Sequence, residues 1–228
     1  MFGFGKPARP RAIAFDIVGT TFPLDPLRPD LVGLGLPPVA LEGWFAAGLR
    51  DAFALAAAGD FQPFADVLQA ALEGVLAEKG LTAPRTETKR IVGRLEKLAA
   101  RAGAQEAYRR AGENDCVVVA LTNGSASTTE TMLEGAGLRP WVDHVVSVDE
   151  VGLSKPRGEV YRRAAEVAGV APAECALVAA HAWDINGAKA AGLTAAYLNA
   201  DRPFSSVMRK PDLEGETLAA CVDALLGM

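Results

Sequence analysis

The sequence predicts an α/β fold: a doubly wound parallel sheet carrying a helical insertion after its first strand. Three observations predict it. Short apolar runs alternate with helical patterns through the second half of the chain, the mark of βαβ units and a parallel sheet. One of these runs, Cys116-Val-Val-Val-Ala-Leu121, is continuously apolar, which suits a strand covered on both faces. An earlier apolar run, Ala12 to Phe15, is separated from it by roughly a hundred residues of mostly helical pattern.

Taken in order, the Gly/Pro-rich stretch Met1 to Pro10 reads as a loose lead-in and Ala12 to Phe15 as the first strand. Phe22 to Leu36, rich in Pro and Gly, reads as an irregular connection. From Val39 to Lys79 the pattern turns helical. Leu41, Trp44, Phe45, Leu49, Ala52 and Phe53 recur at three- and four-residue steps, and Phe64, Val67, Leu68, Leu72 and Val75 repeat that spacing. Thr86 to Arg110 continues as helix, with Ile91, Leu95, Leu98 and Ala99 on one stripe. After the strand at Cys116, the later strands are expected at His144 to Ser147, Cys175 to Ala180 and Thr194 to Leu198. The domain division that follows is a core of residues 1–22 and 104–228 and a helical cap of residues 23–103.

Composition narrows the function classes. The chain has 228 residues, half of them apolar and 22% charged, which is ordinary for a globular protein. A net charge of −5 leaves no basic footprint, so nucleic acid is not an expected partner. No apolar run approaches the ~20 residues a membrane helix needs. The first eleven residues lack the apolar stretch of a signal peptide, so the expected location is the cytoplasm. Cys116, Cys175 and Cys221 are odd in number and far apart, and read as small buried hydrophobes.

Four segments fall at the carboxyl ends of predicted strands, where open α/β sheets bind ligands. The first ends on Asp16, followed by Ile17-Val18-Gly19-Thr20. A carboxylate there can act as a nucleophile by forming an ester, or can serve as a helix N-cap. The second is Thr122-Asn123-Gly124, whose hydroxyl and turn amides suit an anionic group, or a simple turn. The third runs from Ser154-Lys155-Pro156 to Tyr161, and Lys155 would favour the ionised form of a nearby carboxylate. The fourth, Ala179-Ala180-His181-Ala182-Trp183-Asp184, offers Asp184 to orient Lys155 or cap a helix. In the same segment His181 is a candidate general base or, when protonated, an anion ligand. His144, opening a strand, reads as structural.

These four segments, in this order, resemble the motifs of the haloacid dehalogenase (HAD) superfamily, whose core is Rossmann-type. Phosphatases of that superfamily carry an Asp two residues after the nucleophile and a late Gly-Asp-x-x-x-Asp. This chain has Val18 at the first place and Ala179-Ala180 at the second. Magnesium commonly needs one or two carboxylates besides phosphate and water, so the resemblance points to the metal-free branch, the L-2-haloacid dehalogenases. It implies hydrolytic dehalogenation of small 2-haloacids through an ester on Asp16, without cofactor, in a homodimer. The catalytic set it implies is Asp16, Thr20, Lys155, His181 and Asp184. The substrate-binding set is Val18, Phe45, Thr122, Asn123, Gly124, Tyr161 and Trp183.

Departures from that branch are also visible. Phe45 stands where the family carries a halide-gripping Arg, with Arg28 and Arg50 as nearby cations. Ala179 and His181 replace hydroxyl and amide side chains, and Val18 replaces an aromatic hydroxyl. Of the aromatic residues Trp44, Phe45, Phe53, Phe61, Phe64 and Trp183, the expected pocket walls are Phe45 and Trp183, the rest being helix packing. Two other readings are a HAD phosphatase with an atypical metal site and a catalytically weak binding protein of the same fold.

Overall fold

The structure is a computed structural model that describes residues 8–199 and 203–228; most of the stretch read as a loose lead-in, residues 1–7, lies outside them. Among the described residues a six-stranded sheet has the order β3-β2-β1-β4-β5-β6, every neighbouring pair parallel. The strands are β1 (Ala12–Asp16), β2 (Val117–Thr122), β3 (His144–Ser147), β4 (Cys175–Ala179), β5 (Thr194–Leu198) and β6 (Leu213–Gly215). Strand order reverses between β1 and β4, so the crevice at their carboxyl ends is the topological switch point where such sheets bind ligands. Register aligns Asp16 with Leu121 of β2 and Phe15 with Val178 of β4.

Alternation along the strands sorts side chains to two covered faces. Ile13, Phe15, Val118, Ala120 and Val178 pack with residues of α5 (Ala104–Glu113), α6 (Ala126–Gly135) and α10 (Leu218–Leu226). Ala12, Ala14, Val119, Leu121 and Leu177 pack with α8 (Gly158–Val167) and α9 (Ala182–Ala191). Burial on both faces is why these strands read as unbroken apolar runs. The three cysteines are free thiols and buried, and burial pushes Cys175 and Cys221 up to about 12.

Between β1 and α5 lie four helices: α1 (Arg28–Gly33), α2 (Ala40–Ala58), α3 (Phe64–Glu78) and α4 (Arg85–Gly93). The apolar stripe of α2 meets that of α3, and Trp44 Nε1 donates to the Leu68 carbonyl at 2.8 Å across the seam. Trp44 is therefore packing, as expected.

Three readings need correction. Residues 22–36 are not simply irregular: a 3₁₀ turn at Asp25–Leu27 leads into α1. The prolines that suggested a loop, Pro26 and Pro29, occupy first-turn positions, where the missing N–H goes unused. Next, Thr86 to Arg110 is not one helix. After α4 a 3₁₀ turn covers Arg94–Lys97, Leu98 is extended, and a new helix starts after Gly103. The break brings the Arg101 N–H to the Thr21 carbonyl at 2.8 Å, returning the chain to the end of β1. Ala99, read as part of the buried stripe, is exposed as a result. Finally, β6 was not anticipated; Leu-Glu-Gly is short, partly exposed and lacks an apolar run.

No helix among the described residues is long and apolar enough to cross a membrane.

Candidate active site

Asp16 ends β1, and its carboxylate is buried and held on both oxygens. Lys155 Nζ donates to Oδ1 at 2.7 Å, and Thr20 Oγ1 donates to Oδ2 at 2.5 Å. The Thr20 hydroxyl also accepts the Ala180 N–H at 2.9 Å, so one side chain ties the ends of β1 and β4 around the carboxylate. Behind it, Thr21 Oγ1 donates to the Asp16 carbonyl at 2.8 Å and shares a 2.9 Å hydrogen bond with Tyr108, whose ring stacks on Phe15.

Lys155 is fully buried and spends its three protons. Besides Asp16, Nζ donates to Asp184 Oδ2 at 2.8 Å and the Leu121 carbonyl at 3.3 Å. The second Asp184 oxygen accepts from Tyr161 Oη at 2.6 Å. A run of four groups, Asp16, Lys155, Asp184 and Tyr161, is thus closed without a loose end. Gly187 on α9 makes the last link possible, since a Cβ there would lie 2.5 Å from Tyr161 Oη. The alternative that Asp184 is merely a helix cap is not what its oxygens do: both are engaged by Lys155 and Tyr161.

The charges follow from this packing. Burial alone would push the Asp16 carboxyl up, but Lys155 and then His181 outweigh it and hold it well below the usual carboxylate range. At Asp184 burial prevails over Lys155, with the nearby Asp16 charge adding to it, so its carboxyl is raised. Burial would lower Lys155, yet two flanking carboxylates keep it raised and charged. Burial and the Asp184 carboxylate push the Tyr161 hydroxyl well above its usual range, so it remains a donor.

The Thr122 segment is a built turn. Thr122 Oγ1 accepts the Gly124 N–H at 2.9 Å, and Asn123 Oδ1 accepts the Lys155 N–H at 2.9 Å. Asn123 therefore fixes the backbone of the lysine. Ser125 caps α6, accepting the Thr128 N–H at 3.2 Å, and points the helix N-terminus toward the strand ends. Thr122, Gly124 and Val18 line a cavity of about 180 Å³ together with Phe64.

On the other side of the Asp16 turn stands His181, 92% buried because its exposure is 8%. Its Nδ1 lies 3.5 Å from Asp16 Oδ2 and has no hydrogen-bond partner. The ring is stacked on Trp183 with centroids 5.4 Å apart and faces Phe45 at 6.0 Å. Gly19, at φ +88°, gives the imidazole its room: a Cβ there would meet His181 Cε1 at 2.6 Å. Trp183 Nε1 is likewise buried without a partner. Phe45, Ala180 and His181 face a cavity of about 480 Å³ with Gly19 and Arg101, and also a second one of about 490 Å³ with Leu49, Phe53 and Trp183.

The residues of the expected catalytic and substrate-binding sets thus lie around the carboxyl ends of β1, β2 and β4, whereas Trp44, Arg50, His144 and the three cysteines do not. Sequence reasoning missed Tyr108, Thr21 and Arg101. Tyr108 and Arg101 come from the segment read as plain helix, far along the chain from β1, and nothing in their local pattern marks them. The nearby arginines read differently from expectation. Arg28 is tied to Asp25 and Glu42, at 2.7 and 2.6 Å. Arg50 pairs with Asp51 and is mostly exposed.

A magnesium ion, which the phosphatase reading would require, does not fit the side chains present. Both Asp16 oxygens are committed to Lys155 and Thr20, Val18 and Ala180 offer no side-chain oxygen, and Asp184 is engaged twice. Among the described residues no three His, Cys, Asp or Glu side chains cluster as a metal site.

Comparison with known proteins agrees with this geometry. The chain is 27% identical over 218 residues to an (S)-2-haloacid dehalogenase from Pseudomonas sp. (strain YL), covering 93% of each. It superposes on the L-2-haloacid dehalogenase RSc1362 with a TM-score of 0.88 at 25% identity, covering 96% of this chain and 99% of that one. It also superposes on an L-2-haloacid dehalogenase from Xanthobacter autotrophicus with chloropropionic acid covalently bound, at a TM-score of 0.87 and 22% identity, with the same coverage. The haloacid dehalogenase-like hydrolase family matches residues 10–192, and the chain belongs to that family.

Proposed function

We propose that this protein hydrolyses the carbon–halogen bond of small 2-haloacids, with Asp16 as the nucleophile. The observation that carries the reading is a carboxylate buried yet held ionised by Lys155, at the switch point of the sheet, with Val18 two residues on where a metal-binding phosphatase would carry an Asp. A halide needs neither a metal nor a proton to leave, so the missing Asp at position 18 is no handicap for this reaction.

In the first step an Asp16 oxygen attacks C2 of the substrate. The C2–O bond forms as the carbon–halogen bond breaks, and the halide departs with the bonding pair, inverting C2. The substrate carboxylate is assigned to the Thr122 hydroxyl and the amides at the start of α6, where helix N-termini favour anions. In the second step water attacks the Asp16 acyl carbon, the bond from that carbon to the oxygen now carried on C2 breaks, and that oxygen takes back the proton lost by the water as the 2-hydroxy acid leaves. His181 takes the proton from that water; its unpartnered Nδ1 is within one water's reach of the carboxylate. Lys155 keeps the carboxylate reactive, and Asp184 and Tyr161 position Lys155. Val18, Phe45 and Trp183 wall the reacting space and keep it dry.

Residues 23–103 are assigned as a cap over a core of residues 1–22 and 104–228. A homodimer working in the cytoplasm without cofactor completes the reading.

The test is halide release from L- and D-2-chloropropionate and from fluoroacetate in EDTA, wild type against Asp16→Asn. Release that survives EDTA and vanishes in the variant is expected. In ¹⁸O-labelled water, one labelled oxygen should enter Asp16 in a single turnover. Absence of label under conditions of halide release would end the covalent reading.

A further inference from the structure

Two cavities share Phe45 and His181, and their chemistry differs. The one of about 480 Å³ is bordered by the carboxylates Asp25 and Glu42, both paired with Arg28. The one of about 490 Å³ is walled mostly by apolar side chains. Phe45, Leu49 and Phe53 stand four residues apart on α2 and so share one face of that helix. Trp183 of α9 meets Phe53 edge to face at 5.1 Å, and Met208 adds a wall from beyond β5. Phe53, read from the sequence as helix packing, is thus a cavity wall as well. The charged neighbour of this space, Arg50, is paired with Asp51 and mostly exposed. His181 joins the space to the nucleophile, because the ring that lines it brings Nδ1 to 3.5 Å from Asp16 Oδ2.

We propose, building on the dehalogenase reading above, that the apolar cavity beyond His181 holds the substituent on C2, and that the preferred substrates are 2-haloacids carrying an apolar chain of about four to six carbons there. In a 2-halopropionate the substituent is one methyl group. A methyl displaces little more than a single water, whose share of liquid volume is about 30 Å³, and would leave most of a 490 Å³ space wet beside the nucleophile. That volume lies in the usual range of small-molecule sites, about 300–1,000 Å³. A longer chain gains by leaving water for these walls. In the other cavity it would strip water from Asp25 and Glu42, which costs free energy. The rings of His181, Trp183 and Phe53 form a row with centroid steps of 5.4 and 5.1 Å. Carbon–carbon bonds of about 1.5 Å make a chain of about four to six carbons the length that runs along it.

A substrate series on the full chain tests this. Bromide release would be followed from L- and D-2-bromopropionate, 2-bromohexanoate and 2-bromooctanoate. Each added methylene should raise kcat/KM about threefold, so hexanoate should exceed propionate on the order of tenfold or more. Equal values, or a fall with chain length, overturn the proposal. Met208→Trp and Leu49→Trp fill the cavity from two sides, with circular dichroism on each. Met208 is partly exposed and covers the case in which the Leu49 variant does not fold. The hexanoate-to-propionate ratio should drop about tenfold in these variants. A ratio that neither folded variant moves overturns the assignment, because the chain would then lie elsewhere. Calorimetric binding of lactate and of 2-hydroxyhexanoate reads the same preference without turnover and should favour the longer acid by a similar factor. Bromide released from 2-bromopropionate without any gain for longer acids would leave the dehalogenase reading standing and end this one. Tighter binding of 2-hydroxyhexanoate, lost in the filled variants, by a protein that releases no halide from any 2-haloacid would sink the dehalogenase reading and keep the cavity as a site for apolar acids.

Discussion

The two sides of the Asp16 carboxylate are built by opposite rules. On the core side, Lys155, Asp184, Tyr161, Thr20 and Asn123 are all buried or nearly so, and each is satisfied by a partner at 2.5–2.9 Å. On the opposite side stand Phe45, His181 and Trp183, where two buried nitrogens have no partner and the neighbours are rings. A closed network fixes charge and geometry, because any missing member leaves a costly unpaired group. A ring-lined wall leaves its polar atoms for substrate, water or leaving group. The chain also follows the dehalogenase pattern on the first side and departs from it on the second, at Phe45 and His181. In the proposed reaction the core side keeps the Asp16 carboxylate reactive and the ring-lined side sets what it meets.

The largest break in that contrast comes from Lys155→Met. Two carboxylates would remain buried with no cation between them, and removing one partner of a buried ion pair typically costs about 3–5 kcal/mol. Asp16 would also lose its main stabilising charge, so halide release should fall on the order of 10³-fold. Urea denaturation and single-turnover halide release measure the two effects. A variant as stable as wild type would mean that the network contributes no rigidity, and the division drawn here would fail.

His181→Ala sharpens the comparison from the other side. His181 has no hydrogen-bond partner to lose, so stability should change little, within about 1 kcal/mol. Ester hydrolysis should slow by about 10²-fold, the usual contribution of a positioned base, while the first halide burst persists. Mass spectrometry of the quenched enzyme should then show the ester accumulating on Asp16. Unchanged steady-state turnover would remove His181 from the mechanism.

How much of this was legible in the sequence divides along the same line. Strands buried on both faces must be apolar throughout, so β1, β2, β4 and β5 stood out, and with them the strand ends at or just before Asp16, Thr122 and Asp184; Lys155 instead lies eight residues past the end of β3, beyond a short helix over Val148–Val151. β6, short and at the sheet edge, has no such constraint and left no pattern. The break after α4 was hidden because Leu95 and Leu98 keep helical spacing while the chain is already turning back toward Thr21. Arg101 and Tyr108 reach the site only through that turn, and long-range closure of this kind has no local signature. His181 was visible as a residue type at a strand end; the room for its ring depends on Gly19, which only the packing reveals.

The smallest expected effect concerns pH and is a near absence of change. Asp16 is held below the ordinary carboxylate value of about 3.9 because Lys155 and His181 outweigh burial. A carboxyl lowered in this way stays ionised at every pH above its ordinary value, and the reactive form is lost only as pH falls further still. Lys155 is raised by its two carboxylates and stays charged over the same range, so the pair presents one charge state to substrate. Ester formation, read as the single-turnover halide burst, should therefore vary by less than about twofold between roughly pH 8 and pH 5. A burst that falls about tenfold between pH 7 and pH 5 would show that Asp16 is protonating in that window. The core side would then not hold the nucleophile ionised, and the contrast between the two sides of the carboxylate would fail.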